Sequence, residues 1–127
     1  MPNTLRNLFL LCALGWAGVI FYLSHLPGAD IPPMFYGEDK LIHAFVFGIL
    51  GIFTLGAMKT RADGYRAFQP WLAVTLVTAY GVLDEFHQHF VPGRTSDIHD
   101  VMADAAGAML GVWLSYRFLK ARFRPSV

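Results

Sequence analysis

LIHAFVFGILGIFTLGAM, residues 41–58, runs for 18 residues without an Asp, Glu, Lys or Arg. As a helix rising 1.5 Å per residue it reaches about 27 Å, close to the hydrocarbon thickness of a bilayer. A helix of a soluble bundle would carry charge on its outer face. This stretch has none to place there. Gly48, Gly51 and Gly56 are spread among Phe, Leu, Ile and Val, and small residues of this kind let membrane helices approach closely where no hydrophobic drive pulls them together.

Three further stretches share this character. Asn7–Ala29 and Ala67–Leu83 hold no Asp, Glu, Lys or Arg, and Val101–Tyr116 is broken only by Asp104. A span needs roughly 20 residues, with about 17 as a lower limit. The first stretch clears that length; the others draw on interfacial flanks, with Trp71 and Tyr80 near the third and Trp113 and Tyr116 near the end of the fourth. The fold expected is all-α, a four-transmembrane-helix bundle forming one domain over 1–127, with helices at roughly 7–25, 41–58, 69–89 and 98–118. The run after Arg6 is long for the apolar part of a signal peptide, and no small-x-small site closes it, so it reads as a retained span.

Composition agrees. The chain is 55% hydrophobic and 15% charged, against roughly 25% charged in soluble domains, and its mean hydropathy is +0.44. A net charge of +1 without a zinc finger or an aromatic-basic platform gives no reason to expect nucleic acid. The single cysteine, Cys12, lies in an apolar run, where it packs as a small hydrophobe.

Charge asymmetry orients the chain. With the N-terminus cytoplasmic, four spans put Arg6, Lys59, Arg61, Arg66, Arg117, Lys120, Arg122 and Arg124 inside with one acid, Asp63. The outer side then has Lys40 and Arg94 against Asp30, Glu38, Asp39, Asp84, Glu85, Asp97, Asp100 and Asp104. Short basic loops stay cytoplasmic, so both termini are expected there, in a bacterial inner or plasma membrane.

The polar residues gather at helix ends on that outer side. Asp39 and His43 lie four apart at the start of the second helix, and Asp84-Glu85-Phe86-His87-Gln88-His89 closes the third. Two acids at a helix C-terminus oppose its dipole, which favours a functional reading over a merely terminal one. Asp97, Asp100 and Asp104 form an acidic stripe descending the fourth helix, and Asp104 lies a full turn inside the apolar segment. Ionisable groups at membrane depth cost about 2.5–3.5 kcal/mol on insertion scales and therefore face a bundle or cavity. Below the stripe, Gly107-x-x-x-Gly111 matches Ala44-x-x-x-Gly48 and Gly51 on the second helix; close packing of the two brings His43 beside Asp100 or Asp104. Taken singly, Asp39 and Asp97 read as caps, His43 as a buried, satisfied histidine, and His25, His89 and His99 as interfacial. The cluster as a whole is harder to explain that way.

Asp39-Lys40-x-x-His43, Asp84-Glu85-x-x-Gln88-x-x-Val91-Pro92-Gly93-Arg94 and Asp97-x-x-Asp100-x-x-x-Asp104-x-x-Gly107 resemble the VanZ-like family of small bacterial membrane proteins. The likeness covers most of residues 20 to 111, including Tyr22 to Ser24. It differs at Asp104, where the family has Asn. The resemblance implies a membrane bundle and these motif residues, and the family's namesake is linked to resistance to the glycopeptide teicoplanin. It implies no reaction.

The function expected is an outward-facing polar pocket that binds an envelope molecule: a lipid head group, a cell-wall precursor or an amphiphilic antibiotic, with a link to glycopeptide resistance. Arg94 is the residue to grip a phosphate or carboxylate through its planar fork, with a turn position that leaves it free of structural duty. Lys40, Gln88, Asp39, Asp97, Asp100 and Asp104 complete the ligand-binding set. The alternative is a membrane-embedded enzyme acting on a lipid-linked or cell-wall substrate, with Glu85 or Asp84 as general base and His43 as proton partner. His43, Glu85, Asp97, Asp100 and Asp104 offer ligands suited to zinc, manganese or calcium. No His-Glu-x-x-His spacing is present, and neither a metal nor another cofactor is expected. Partners are membrane lipid, with a cell-wall precursor or glycopeptide as ligand. Two rivals stay open: a purely structural ion-pair network, and a transporter that would need to form a homo-oligomer.

Overall fold

The structure, a computed structural model, describes residues 3–28, 34–59 and 65–122, with side chains to Lys120. Four helices follow in order, α1 (Asn3–His25), α2 (Glu38–Met58), α3 (Gln69–Gln88) and α4 (Ile98–Arg122), and the described residues contain no strand. Asp30, Arg61, Asp63 and Arg124, and the side chain of Arg122, which the charge reading used, lie outside what is described.

The helices outrun the apolar stretches that announced them. α2 begins three residues before Leu41, because Glu38 and Asp39 occupy its first turn, where carboxylates complement the helix dipole. Gly37 precedes them at φ 84°, a left-handed turn that suits glycine. α4 continues past Phe118, and its tail is amphipathic: Arg117 lies over the Trp113 ring at 5.8 Å and Lys120 over Tyr116 at 5.5 Å. α1 likewise starts at Asn3, ahead of the first apolar run.

Polarity is distributed inside out. Large apolar side chains cover the exterior of all four helices, among them Leu11 and Leu14 on α1, Phe45 on α2, Trp71 and Phe86 on α3, and Met102 and Trp113 on α4. The interior holds Asp84, Glu85, Gln88, Asp100 and Asp104 at one end. Below them lies a core of Ile20, Phe47, Leu50, Val77 and Ala108, and at the opposite end a second one of Leu55, Ala73 and Val112. An exterior this apolar over a charged interior suits lipid, not water. α1 and α2 are long and apolar enough to cross a membrane by length and composition; α3 and α4, which carry the acidic residues, fall short of that measure.

The closest approach is between α2 and α4. A Cβ on Gly107 would lie 1.9 Å from the Ala44 carbonyl oxygen, and one on Gly111 2.2 Å from that of Gly48. Gly51 faces the Ala108 carbonyl in the same seam. The packing expected from the glycine spacing is the packing found. At the opposite end from the acids, Gln69 joins two helices: its Nε2 donates to the Met58 carbonyl at 2.8 Å and its Oε1 accepts from the Arg66 amide at 2.8 Å. The first bond satisfies a carbonyl that the end of α2 leaves without a helical partner. α1 is pinned by two polar side chains, Trp16 Nε1 donating to the Val46 carbonyl at 2.9 Å and the Tyr80 hydroxyl to the Ala17 carbonyl at 2.6 Å.

Gly107→Ala is enough to test the seam, since even a methyl meets backbone that cannot yield. It should lower the thermal midpoint in detergent clearly, while Gly18→Ala, with nothing within 4 Å of the new Cβ, should be neutral or gain up to about 1 kcal/mol from helix propensity. Equal behaviour of the two variants would mean that α2 and α4 do not touch here.

Candidate functional site

The α2–α4 seam brings the first two turns of α2 alongside the first two of α4, so the acidic stripe meets Lys40 and His43. Lys40 donates to Asp39 Oδ2 at 2.7 Å, to Asp97 Oδ2 at 3.0 Å and to Asp100 Oδ1. Asp97 caps α4, its Oδ1 accepting from the His99 amide at 2.9 Å and facing the His99 ring at 2.8 Å. The His99 amide, the Lys40 ammonium and the His99 ring hold the Asp97 carboxyl well below the usual carboxylate range.

One turn deeper, His43 Nδ1 lies 2.8 Å from Asp104 Oδ1, and its Nε2 lies 3.7 Å from Asp100 Oδ2. Asp104 is fully buried. Its Oδ2 rests against Gly81 of α3, where a Cβ would come within 2.6 Å, and it has no hydrogen-bond partner among the described residues. The His43–Asp104 contact makes one of the two pairings expected from spacing and brings Asp100 within reach as well.

α3 contributes the other acids. Glu85 Oε2 accepts from the Asp97 amide at 2.9 Å, while Oε1 is buried without a hydrogen-bond partner among the described residues. Asp84 Oδ2 accepts from Gln88 Nε2 at 3.1 Å, and the same amide nitrogen lies 3.2 Å from Ser24 Oγ on α1. The six carboxylates of Asp39, Asp84, Glu85, Asp97, Asp100 and Asp104 thus outnumber the basic side chains that pair with them among the described residues, Lys40, His43 and His99. Uncompensated negative charge at this depth is costly and draws protons or cations.

Arg94 departs from its expected freedom. Its Nε donates to the Leu26 carbonyl at 3.0 Å and its Nη2 to the Leu23 carbonyl at 2.8 Å, so it caps the end of α1, where the Leu23 carbonyl otherwise accepts only from the Leu26 amide. Beside it, the Gly28 amide donates to the Pro92 carbonyl at 3.1 Å. Gly93, at φ 74°, lies so close to Gly28 that a Cβ on Gly28 would meet the Gly93 carbonyl oxygen at 1.8 Å. Pro92-Gly93-Arg94 is therefore a clasp joining the α3–α4 turn to α1. The turn needs an arginine because the neighbouring helix end, invisible in the local sequence, presents its carbonyls there.

Other participants escaped sequence reasoning. Ser24 entered only through the family likeness, with no partner to read from its own stretch, and Gly81 sits in an apolar run that does not flag it. His25 Nδ1 faces His87 Nε2 at 3.2 Å beside the Phe21 ring, a pair 62 residues apart in sequence, whereas His25 alone reads as interfacial. His89 packs edge-on against Phe90.

Two clefts reach this end. One, of about 130 Å³, lies between α1, α2 and α3 and is walled by Ile20, Leu23, Ile42, Val46 and Phe47 and by Ser24, His43, Asp84, Gln88 and Arg94. The other, of about 930 Å³, is lined by Lys40, Asp39, Asp97, His99 and their neighbours at the α2–α4 mouth.

A helical bundle with membrane-length helices and a buried acidic end is the class that this geometry defines. The model of the VanZ/LLP1 family matches residues 9–120, and the chain belongs to that family. No curated protein and no solved structure matches it.

Removing the clasp should be felt without any ligand. Arg94→Ala removes the guanidinium from two carbonyls, leaving that of Leu23 its bond from the Leu26 amide, and should lower the thermal midpoint of the empty protein, by about 1–3 kcal/mol on the usual cost of unmade hydrogen bonds. Arg94→Lys should recover part of that loss. An unchanged midpoint for Arg94→Ala would return Arg94 to the free, ligand-gripping role that its turn position suggests.

Proposed function

We propose that all four helices cross the bacterial cell membrane with both termini in the cytoplasm, and that the acidic end opens outward to hold the head group of an amphiphilic envelope molecule. The observation that carries this reading is the mixed wall of the smaller cleft. Five apolar side chains line it together with Ser24, His43, Asp84, Gln88 and Arg94, the combination that a ligand with an acyl tail and a polar head requires. Two of the five guanidinium donors of Arg94 serve α1. The others are left for a phosphate or carboxylate, so a capping role and a gripping role are compatible. Lipid head groups fit this description, as do cell-wall precursors and amphiphilic antibiotics of the glycopeptide kind.

A second reading has an observation of its own. Asp104 holds one nitrogen of His43 and turns the other toward Asp100, the way a carboxylate orients a histidine that moves protons. On that reading the chain is a membrane-embedded enzyme using His43 with Glu85 or Asp84, on a substrate seated in the same cleft.

Topology is tested first. A reporter fused after Val127 should be active in the cytoplasm, and cysteines placed in 59–66 should resist a reagent confined to the outside; their labelling would reverse the orientation. Occupancy is tested by filling the cleft. Ile42→Trp should reduce phosphatidylglycerol retained by the detergent-purified protein in native mass spectrometry, whereas Leu110→Trp on the far side should not. Equal retention by both variants would remove the cleft as the binding site.

A further inference from the structure

We infer that His43, Glu85 and Asp100 form a binding site for one divalent cation of the zinc or manganese type, where ligand spacing in the sequence gives no reason to expect a metal. One donor atom from each lies within 4.8 Å of the others, so modest inward movement brings all three to metal–ligand distances of about 2.0–2.2 Å. Two acids near a histidine would not by themselves make a site. The independent observation is Glu85, whose side chain is 4% exposed and whose Oε1 is buried with no hydrogen-bond partner among the described residues. An orphaned carboxylate oxygen at this depth is costly unless a cation or donor meets it.

The surroundings are those of a supported metal site. Each ligand has one atom held by a neighbour and a second donor atom outside that bond. Asp104 takes His43 Nδ1 and leaves Nε2 facing Asp100 Oδ2 at 3.7 Å. The Asp97 amide takes Glu85 Oε2 and leaves Oε1. Lys40 takes Asp100 Oδ1 and leaves Oδ2. A carboxylate behind a ligating imidazole, and a donor behind each ligating carboxylate, are what fixes ligand orientation and raises metal affinity. One imidazole with two carboxylates selects a borderline cation over calcium, which prefers an all-oxygen shell of six or more ligands. The charge agrees, because a dication offsets two of the carboxylates that Lys40 alone cannot.

The site extends the reading of the cleft and shares His43 with it, but it needs no amphiphile. Its test therefore uses metal alone, on the full chain in detergent after stripping with EDTA. Equilibrium dialysis against zinc or manganese, read by elemental mass spectrometry, should give one ion per chain and a higher thermal midpoint. Glu85→Gln, which keeps an oxygen to accept from the Asp97 amide, should weaken binding by about tenfold or more. Asp100→Asn should do the same, giving a second ligand variant should the first fail to fold. Glu38→Gln, which alters a carboxylate in the first turn of α2 that accepts from the Met34 amide and takes no part in the site, should bind as the parent does. Failure of the parent chain to bind one ion, or undiminished binding by a folded Glu85→Gln or Asp100→Asn, overturns the proposal. Loss of lipid retention in Ile42→Trp with metal binding intact would separate the two sites.

Discussion

Gly107 of α4 meets the carbonyl of Ala44 on α2 with no room for a single carbon between them. That contact determines the distance between the two helices, and with it which side chains above can touch. One turn toward the acidic end, the same separation places His43 against Asp104; at the mouth it places Lys40 among Asp39, Asp97 and Asp100. A larger residue in the seam would push α4 outward by more than a hydrogen bond tolerates. The polar site is thus a consequence of small residues whose own chemistry is inert. In lipid this matters more than in water, because no hydrophobic drive would close a gap once opened.

α3 completes the arrangement in the same way. Gly81 gives Asp104 a flat surface to lie on, and the Asp84 and Glu85 carboxylates enter from the turn above. α3 and α4 lack the uniform apolarity of α1 and α2 because they supply these acids. Their exposed faces nevertheless present Trp71, Leu72, Leu76, Leu83, Met109, Leu110 and Trp113. Interior charge lowers the overall hydropathy of a helix without altering its exposed face. That is why a test on composition and a reading of the exposed surface diverge for these two helices.

How much was legible in the sequence follows the same division. Patterns within one helix survive into three dimensions: the glycine spacings predicted the α2–α4 seam, and the three- and four-residue spacing of Asp97, Asp100 and Asp104 predicted a stripe facing the bundle. The His43 pairing was readable because it needed only those two patterns together. Gln69 and Gly81 were not readable, and Ser24 showed only in the family likeness, since the contacts of each depend on how a third helix is rotated against the pair. The contacts of Arg94 with α1 were not readable for a related reason. Its turn gives an arginine nothing to bind locally, and the carbonyls it caps belong to a helix end about 70 residues earlier. The expected bounds of α1, α2 and α4 fell short because interfacial turns tolerate acids, lysines and arginines that an apolar window excludes.

α1 stands apart from the other three. It buries only Ile20 and Ser24 among its described residues, and polar pins from Trp16, Tyr80 and Arg94 hold it where α2 and α4 rely on backbone contact. Pins fix a helix at points and leave the surface between them unfilled. The smaller cleft lies in that interval, between the Trp16 bond to Val46 and the Arg94 bond to Leu23, with His43 at its inner wall. A tightly packed α1 would have closed over His43 and Asp84. Held as it is, α1 leaves both in the wall of the cleft.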